Sequence, residues 1–106
     1  MNSDSLATID GRFQSPVPQY TLSEPERQQR VLELTVGFLI ARTVTGETWL
    51  EGFADVDVFL EAAPLTMVEF RSAKSHLRNA LDYCHVQEFG AAAFELRGIR
   101  GILQKL

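Results

Sequence analysis

The stretch TMVEFRSAKSHLRNALDYCH, residues 66–85, carries the pattern that decides the fold. Its apolar side chains recur at steps of three and four, the period of one face of an α-helix. Thr66 and Glu69 form a Ser/Thr-x-x-Glu capping box, whose side chains satisfy free backbone N–H groups at a helix start. The stretch predicts an amphipathic helix. Its apolar stripe is Met67, Phe70, Ala73, Leu77, Ala80, Leu81 and Cys84, with Arg71, Lys74 and Arg78 outside it.

Similar signals surround this helix on both sides. Capping boxes at residues 23–26 and 48–51 each precede an apolar run and predict helices over about 24–44 and 48–62. A fourth run, over about 88–105, repeats the three-four spacing and contains three glycines, which either end the helix early or mark the close approach of a second backbone. We therefore expect an all-α bundle of about four helices, with the last two forming an antiparallel pair packed over the first.

The apolar faces of the first two helices differ in width. The first helix has an apolar face that a second arc widens over most of its second half, so the helix is apolar nearly all round and the pattern favours a central position in the bundle. That face is Val31, Leu34, Phe38 and Ala41, and the arc is Leu32, Val36, Leu39 and Ile40. The second helix has a narrower face, formed by Trp49, Phe53, Val56 and Leu60.

Residues 1–22 differ in composition from the bundle domain, residues 23–106. They contain serines and two prolines, which favour turns and extended backbone, and predict an extended or partly disordered N-terminal arm. Phe13, Val17 and Tyr20 could anchor this arm on its own bundle or on a neighbouring subunit. An α+β fold with a short hairpin near residues 43–60 is the alternative, because β-branched residues flank a Thr-Gly-Glu-Thr turn there.

Composition limits the class of protein. A chain of 106 residues with 45% apolar and 23% charged residues is typical of one folded domain. The net charge of −4 disfavours non-specific binding to nucleic acid, and no stretch approaches the roughly 20 apolar residues of a membrane span. A single cysteine excludes an intramolecular disulfide and favours a reducing, cytoplasmic location.

No residue pattern predicts catalysis, and we expect no enzyme activity, cofactor or metal. Asp82 and His85 lie three residues apart, but the chain has only two histidines and no metal-binding spacing. Cys84 precedes His85 directly, so a helix would turn their side chains about 100° apart and prevent activation of the thiol. The carboxylates of residues 47–61 are typical of a solvated acidic face. No phosphate-binding glycine loop or small-molecule site is evident.

These features favour a non-enzymatic protein–protein interaction module, a small adaptor or regulatory protein, acting as a homodimer through apolar helix faces. The expected contact surfaces are the arm (Phe13, Val17, Tyr20) and a C-terminal surface (Leu96, Ile99, Leu103). The first alternative is a nucleic-acid-associated regulator that uses a basic stripe, Arg71, Lys74 and Arg78. The second alternative is a small enzyme with no recognisable motif.

Overall fold

The computed structural model describes residues 22–106, which form four α-helices joined by short loops. The helices are α1 (Glu24–Val44), α2 (Leu50–Ala62), α3 (Met67–His85) and α4 (Phe89–Leu103). The all-α prediction is confirmed. The described residues contain no strand, so the hairpin alternative near residues 43–60 is wrong: the apolar period of three and four over residues 50–62 outweighs the short alternation within it. The predicted arm, apart from Leu22, lies outside the described residues.

Two of the three predicted capping boxes are present. At α1, the Ser23 backbone N–H donates to Glu26 Oε1 (2.9 Å), and the Glu26 N–H donates to Ser23 Oγ (3.3 Å). The bond from the Ser23 backbone N–H, followed by the contribution of the Ser23 hydroxyl, lowers the pKa of the Glu26 carboxyl. At α3, Thr66 and Glu69 make the same pair of bonds, at 2.9 and 3.1 Å. Both helices therefore begin with their free N–H groups partly satisfied.

The third predicted box, at Thr48, is wrong. The second helix begins two residues later than predicted, and the residue before it, Trp49, makes no side-chain cap. The Thr48 hydroxyl instead faces the Cys84 thiol at the end of α3, where it opposes the rise in the pKa of that thiol. Gly46 ends the preceding turn with φ +89°, a conformation that favours glycine. The Arg42 guanidinium lies 4.1 Å from the Trp49 ring centroid, a cation–π contact that links α1 to the start of α2.

The helices pack in a ring, each against its two neighbours: α1 with α2, α2 with α3, α3 with α4, and α4 with α1. Contact is most extensive between α3 and α4. His76 lies beside Gly98, and Asn79 beside Glu95, so these two helices run antiparallel as predicted. The buried core draws on all four helices. It contains Leu32, Val36, Leu39, Ile40, Phe53, Val56, Leu60, Ala73, Leu77, Ala80, Cys84, Ala92, Leu96, Ile99 and Leu103.

The orientation of α1 differs from the sequence-based expectation. The predicted central position is wrong: α1 packs against α2 and α4 with its second arc, and the face of Val31, Leu34, Phe38 and Ala41 is exposed. That arc is continued by Thr43, whose hydroxyl donates to the Leu39 carbonyl (2.7 Å) and is thereby satisfied in the core. The opposite face continues toward the N-terminus through Arg27, a charged residue that the core would not accept. Two smaller corrections concern Met67 and Leu106, both predicted on apolar stripes and both exposed.

The last helix, α4, continues without interruption across its three glycines, Gly90, Gly98 and Gly101. A Cβ at Gly90 or Gly101 would meet nothing within 4 Å, so neither marks a close approach. At Gly98 the neighbour is a side chain rather than a second backbone, because a Cβ there would lie 2.8 Å from the His76 ring. The His76 Nδ1–H donates to Glu95 Oε1 over 2.9 Å and holds the ring in this position. Gly98 thus lets an imidazole lie flat against α4.

Candidate protein-interaction surface

The surface that stands out is the α1 outer face, formed by Val31, Leu34, Phe38 and Ala41. All four are exposed, and the two largest, Leu34 and Phe38, are 55% and 62% exposed. At about 100° per residue, this stripe lies opposite the buried arc of the same helix. The capping box fixes the start of α1 and the buried arc fixes its rotation. The α1 outer face is therefore held toward solvent by the packing of its own helix.

The α1 outer face continues into a groove between α1 and α2. The groove has a cavity volume of about 230 Å³ and shares Val31 with the α1 outer face. Val58, Phe59 and Ala62 of α2 supply its apolar wall, and Val58 is 64% exposed. Its polar edge consists of Glu24, Arg27 and Gln28 from the first turns of α1. We call this cavity the α1/α2 groove.

A larger cavity, of about 530 Å³, separates α2 from α3. Leu50, Phe53, Leu77 and Leu81 supply apolar lining, and Arg78 and Asp82 are among the charged residues at its edge. Mixed apolar and charged lining is typical of binding surfaces in general. The lining of this cavity places no nucleophile beside a base. Within residues 22–106, no group of three or more His, Cys, Asp or Glu side chains could hold a metal ion.

The central residue of the predicted basic stripe, Lys74, binds acidic residues of α2. The Lys74 ammonium binds Asp57 Oδ1 (2.6 Å), the Asp57 carbonyl (3.2 Å) and Glu61 Oε2 (3.1 Å). Burial lowers the pKa of Lys74, but the bonds and charges of the two carboxylates outweigh it, and the pKa is raised. Arg71 and Arg78 are exposed on either side. The central cation of the stripe is thus neutralised by the acidic face of α2.

Cys84 is enclosed at the end of α3. Its side chain is buried in the core, and this burial raises the pKa of the thiol, although the hydrogen bond with Thr48 acts in the opposite direction. A raised pKa leaves little of the thiolate that nucleophilic attack requires. His85 is exposed, as is Asp82. The arrangement fits packing of the thiol inside the bundle.

The structure places the predicted C-terminal surface inside the molecule. Leu96, Ile99 and Leu103 are fully buried in the core of their own chain. The neighbouring helices of the same chain pack against these three side chains, so the residues offer no surface to a partner in this fold. The arm residues Phe13, Val17 and Tyr20 lie outside the described residues.

Sequence reasoning placed the α1 outer face in the core and so missed it as a surface. The residues at the ends of the two arcs could have identified it. Arg27 extends the α1 outer face by one turn and carries a charge. Thr43 extends the other arc, and its hydroxyl can bond the backbone of its own helix. Each arc has four apolar residues over residues 31–41, so their number does not distinguish the arcs, although the buried arc contains the larger Ile40 where the exposed one has Ala41.

Comparison with known proteins found no matching family model, no matching curated protein and no matching solved structure. Among residues 22–106, no helix has both the length and the apolar character needed to cross a membrane. Any functional assignment therefore rests on the surfaces described above.

Proposed function

We propose that the protein is a protein–protein interaction module that forms a homodimer through the α1 outer face. The observation that carries this proposal is the exposure of Leu34 and Phe38, together with Val31 and Ala41, on one continuous side of α1. Scattered exposed apolar residues are normal on proteins, but a contiguous apolar patch is typical of an interaction site.

The spacing of the α1 outer face suits a second helix. Its residues follow one another at steps of three, four and three, the pattern of a surface that packs against another helix in a coiled-coil manner. Gly37 lies beside the face, and a Cβ there would meet nothing within 4 Å, so a second backbone could approach closely. A second copy presents the same stripe, which a two-fold axis would bring into contact with the first.

The size of the α1 outer face indicates a weak dimer. Leu34 and Phe38 are its two large side chains, so a symmetric dimer would bury only four of them. Small interfaces are typical of weak, transient association. We therefore expect a dimer whose population rises with concentration, rather than an obligate one.

The test compares molecular masses of variants by sedimentation equilibrium over a wide concentration range. Leu34→Glu with Phe38→Glu places charges on the α1 outer face and should keep the chain monomeric throughout, with unchanged helix content by circular dichroism. Val68→Glu is the matched control, because Val68 is 77% exposed on α3, away from this face. A monomeric parent chain at every concentration, or a double variant that dimerises like the parent, would contradict the proposal.

Neither alternative gains a specific observation in its favour. A nucleic-acid-associated regulator would use the three cations of the α3 stripe together, but Lys74 is bound by two carboxylates, which leaves Arg71 and Arg78 separated by a neutralised position. A small enzyme would need a nucleophile beside a base, and the buried Cys84 has a hydroxyl as its neighbour. We therefore propose no second function.

A further inference from the structure

We propose that the N-terminal arm docks in the α1/α2 groove of its own chain, with Val17 and Tyr20 as its apolar anchors. The groove is a concave apolar site with no occupant among residues 22–106. Its volume of about 230 Å³ lies below the roughly 300–1,000 Å³ of small-molecule sites. A helix about 10 Å across would not enter it. One or two side chains of an extended segment fit its dimensions best.

The chain enters α1 at the edge of this groove. The Arg27 guanidinium donates to the Leu22 carbonyl (3.3 Å) and to Glu24 Oε1 (2.9 Å). Arg27 and Glu24 also line the groove. The segment that precedes Leu22 therefore starts at the polar edge of the groove.

The length of the preceding segment is sufficient to reach the groove. Val17 lies five positions before Leu22, which allows up to about 16–18 Å of extended chain. Val31, the groove residue furthest along α1, lies about 10 Å along the helix axis from Glu24. The anchors can thus lie level with the groove without stretching the chain.

The chemistry of the arm matches the α1/α2 groove better than the other cleft near the chain start. That second cleft, between α1 and the C-terminus, is lined by Leu22, Glu26, Gln29, Arg30, Glu33 and Leu106, and is mostly polar. Val17 would find little apolar surface there, whereas Val31, Val58 and Phe59 supply it in the α1/α2 groove. Tyr20 can bury its ring while its hydroxyl stays at a polar edge.

The effective concentration of the arm favours docking on its own chain over docking on another chain. A short tether holds the arm near its own groove at roughly millimolar concentration, well above the concentration of other chains in a dilute sample. Docking would cover Val31 and leave Leu34 and Phe38 of the α1 outer face open. This inference therefore does not depend on the dimer.

Paramagnetic relaxation in the full chain tests the inference. A nitroxide on Asp55→Cys, in a Cys84→Ala background, lies one turn from Phe59 on an exposed position outside the groove. We expect it to weaken the backbone amide signals of residues 13–20. A nitroxide on Arg97→Cys, an exposed position on α4, should leave those signals unchanged. Equal intensities with both labels would overturn the proposal.

Further samples test whether the arm docks in this groove and whether it docks on its own chain. Val58→Glu places a charge in the groove and should restore the arm signals, as should Ala62→Glu, whereas Val68→Glu should not. Unchanged weakening in both groove variants would overturn the assignment to this groove. The mixing experiment uses the Leu34→Glu, Phe38→Glu background, which removes the proposed dimer contact. There, a mixture of nitroxide-labelled chain and ¹⁵N-chain without nitroxide should show no weakening. Weakening that persists in this mixture would show exchange of arms between chains and overturn docking within one chain.

Discussion

The contact between His76 and Gly98 leads to a prediction that can be worked through quantitatively. A Gly98→Ala substitution in the middle of α4 should gain about 1 kcal/mol from helix propensity. Its new Cβ would lie 2.8 Å from the His76 Cε1 and Nε2 atoms, so the ring must move. Moving the ring breaks its 2.9 Å hydrogen bond to Glu95, which costs about 0.5–1.5 kcal/mol. The two effects should nearly cancel.

A double-mutant cycle separates these two effects. In a His76→Ala background the ring is absent, so Gly98→Ala should raise the free energy of unfolding by about 1 kcal/mol. The coupling between the two substitutions is then about 1 kcal/mol, roughly a fivefold change in the unfolding equilibrium constant. Gly37→Ala is the matched control, because a Cβ in the middle of α1 meets nothing within 4 Å and should stabilise by about 1 kcal/mol in either background.

Urea unfolding followed by circular dichroism measures each free energy, provided that the slopes agree among variants. All four chains of the cycle are compared at one low protein concentration. Coupling below about 0.3 kcal/mol would mean that the substitutions are additive, and would refute the reasoning. The same conclusion would follow if Gly98→Ala alone stabilised the protein as much as Gly37→Ala does.

Three further predictions concern local features of the bundle. Ser23→Ala and Thr66→Ala should each lower the free energy of unfolding by about 1 kcal/mol, because each hydroxyl caps a helix, whereas Thr48→Ala should lower it less in the same urea titration. Gly52→Ala would drive a Cβ into the indole ring of the single tryptophan, so we expect a loss of about 1–3 kcal/mol and a shifted fluorescence maximum. Cys84 should react with a thiol reagent far more slowly in the folded chain than in urea, because burial raises the pKa of its thiol; equal rates at pH 7 would contradict this.

Much of the fold could be predicted because local signals agreed with one another. The Thr66 box and the apolar stripe behind it predicted α3 to within one residue at its start. Gly46, just after α1, is a further local signal, because the left-handed conformation that it adopts there favours glycine. Thr48 showed the limit of this reasoning. Its spacing to Glu51 matches a capping box, but a thiol from a helix far along the chain provides its hydroxyl with another partner.

The candidate site was harder to predict than the helices. Leu96, Ile99 and Leu103 were expected to form a contact surface because their spacing suits another helix, and that spacing is satisfied inside the chain. An apolar stripe shows that a helix must pack, but not whether its partner belongs to the same molecule. The exposed apolar patch lies instead on α1, because this helix has two apolar arcs and only one of them faces the core.

The sequence by itself determined the four helices and their approximate ends, because hydrogen bonding and apolar period act over a few residues. Only the tertiary structure decided which arc of α1 faces inward, why Lys74 is neutralised and where His76 rests. Each of these depends on side chains brought together from distant parts of the chain, and a core of this size can bury one side of α1 but not both.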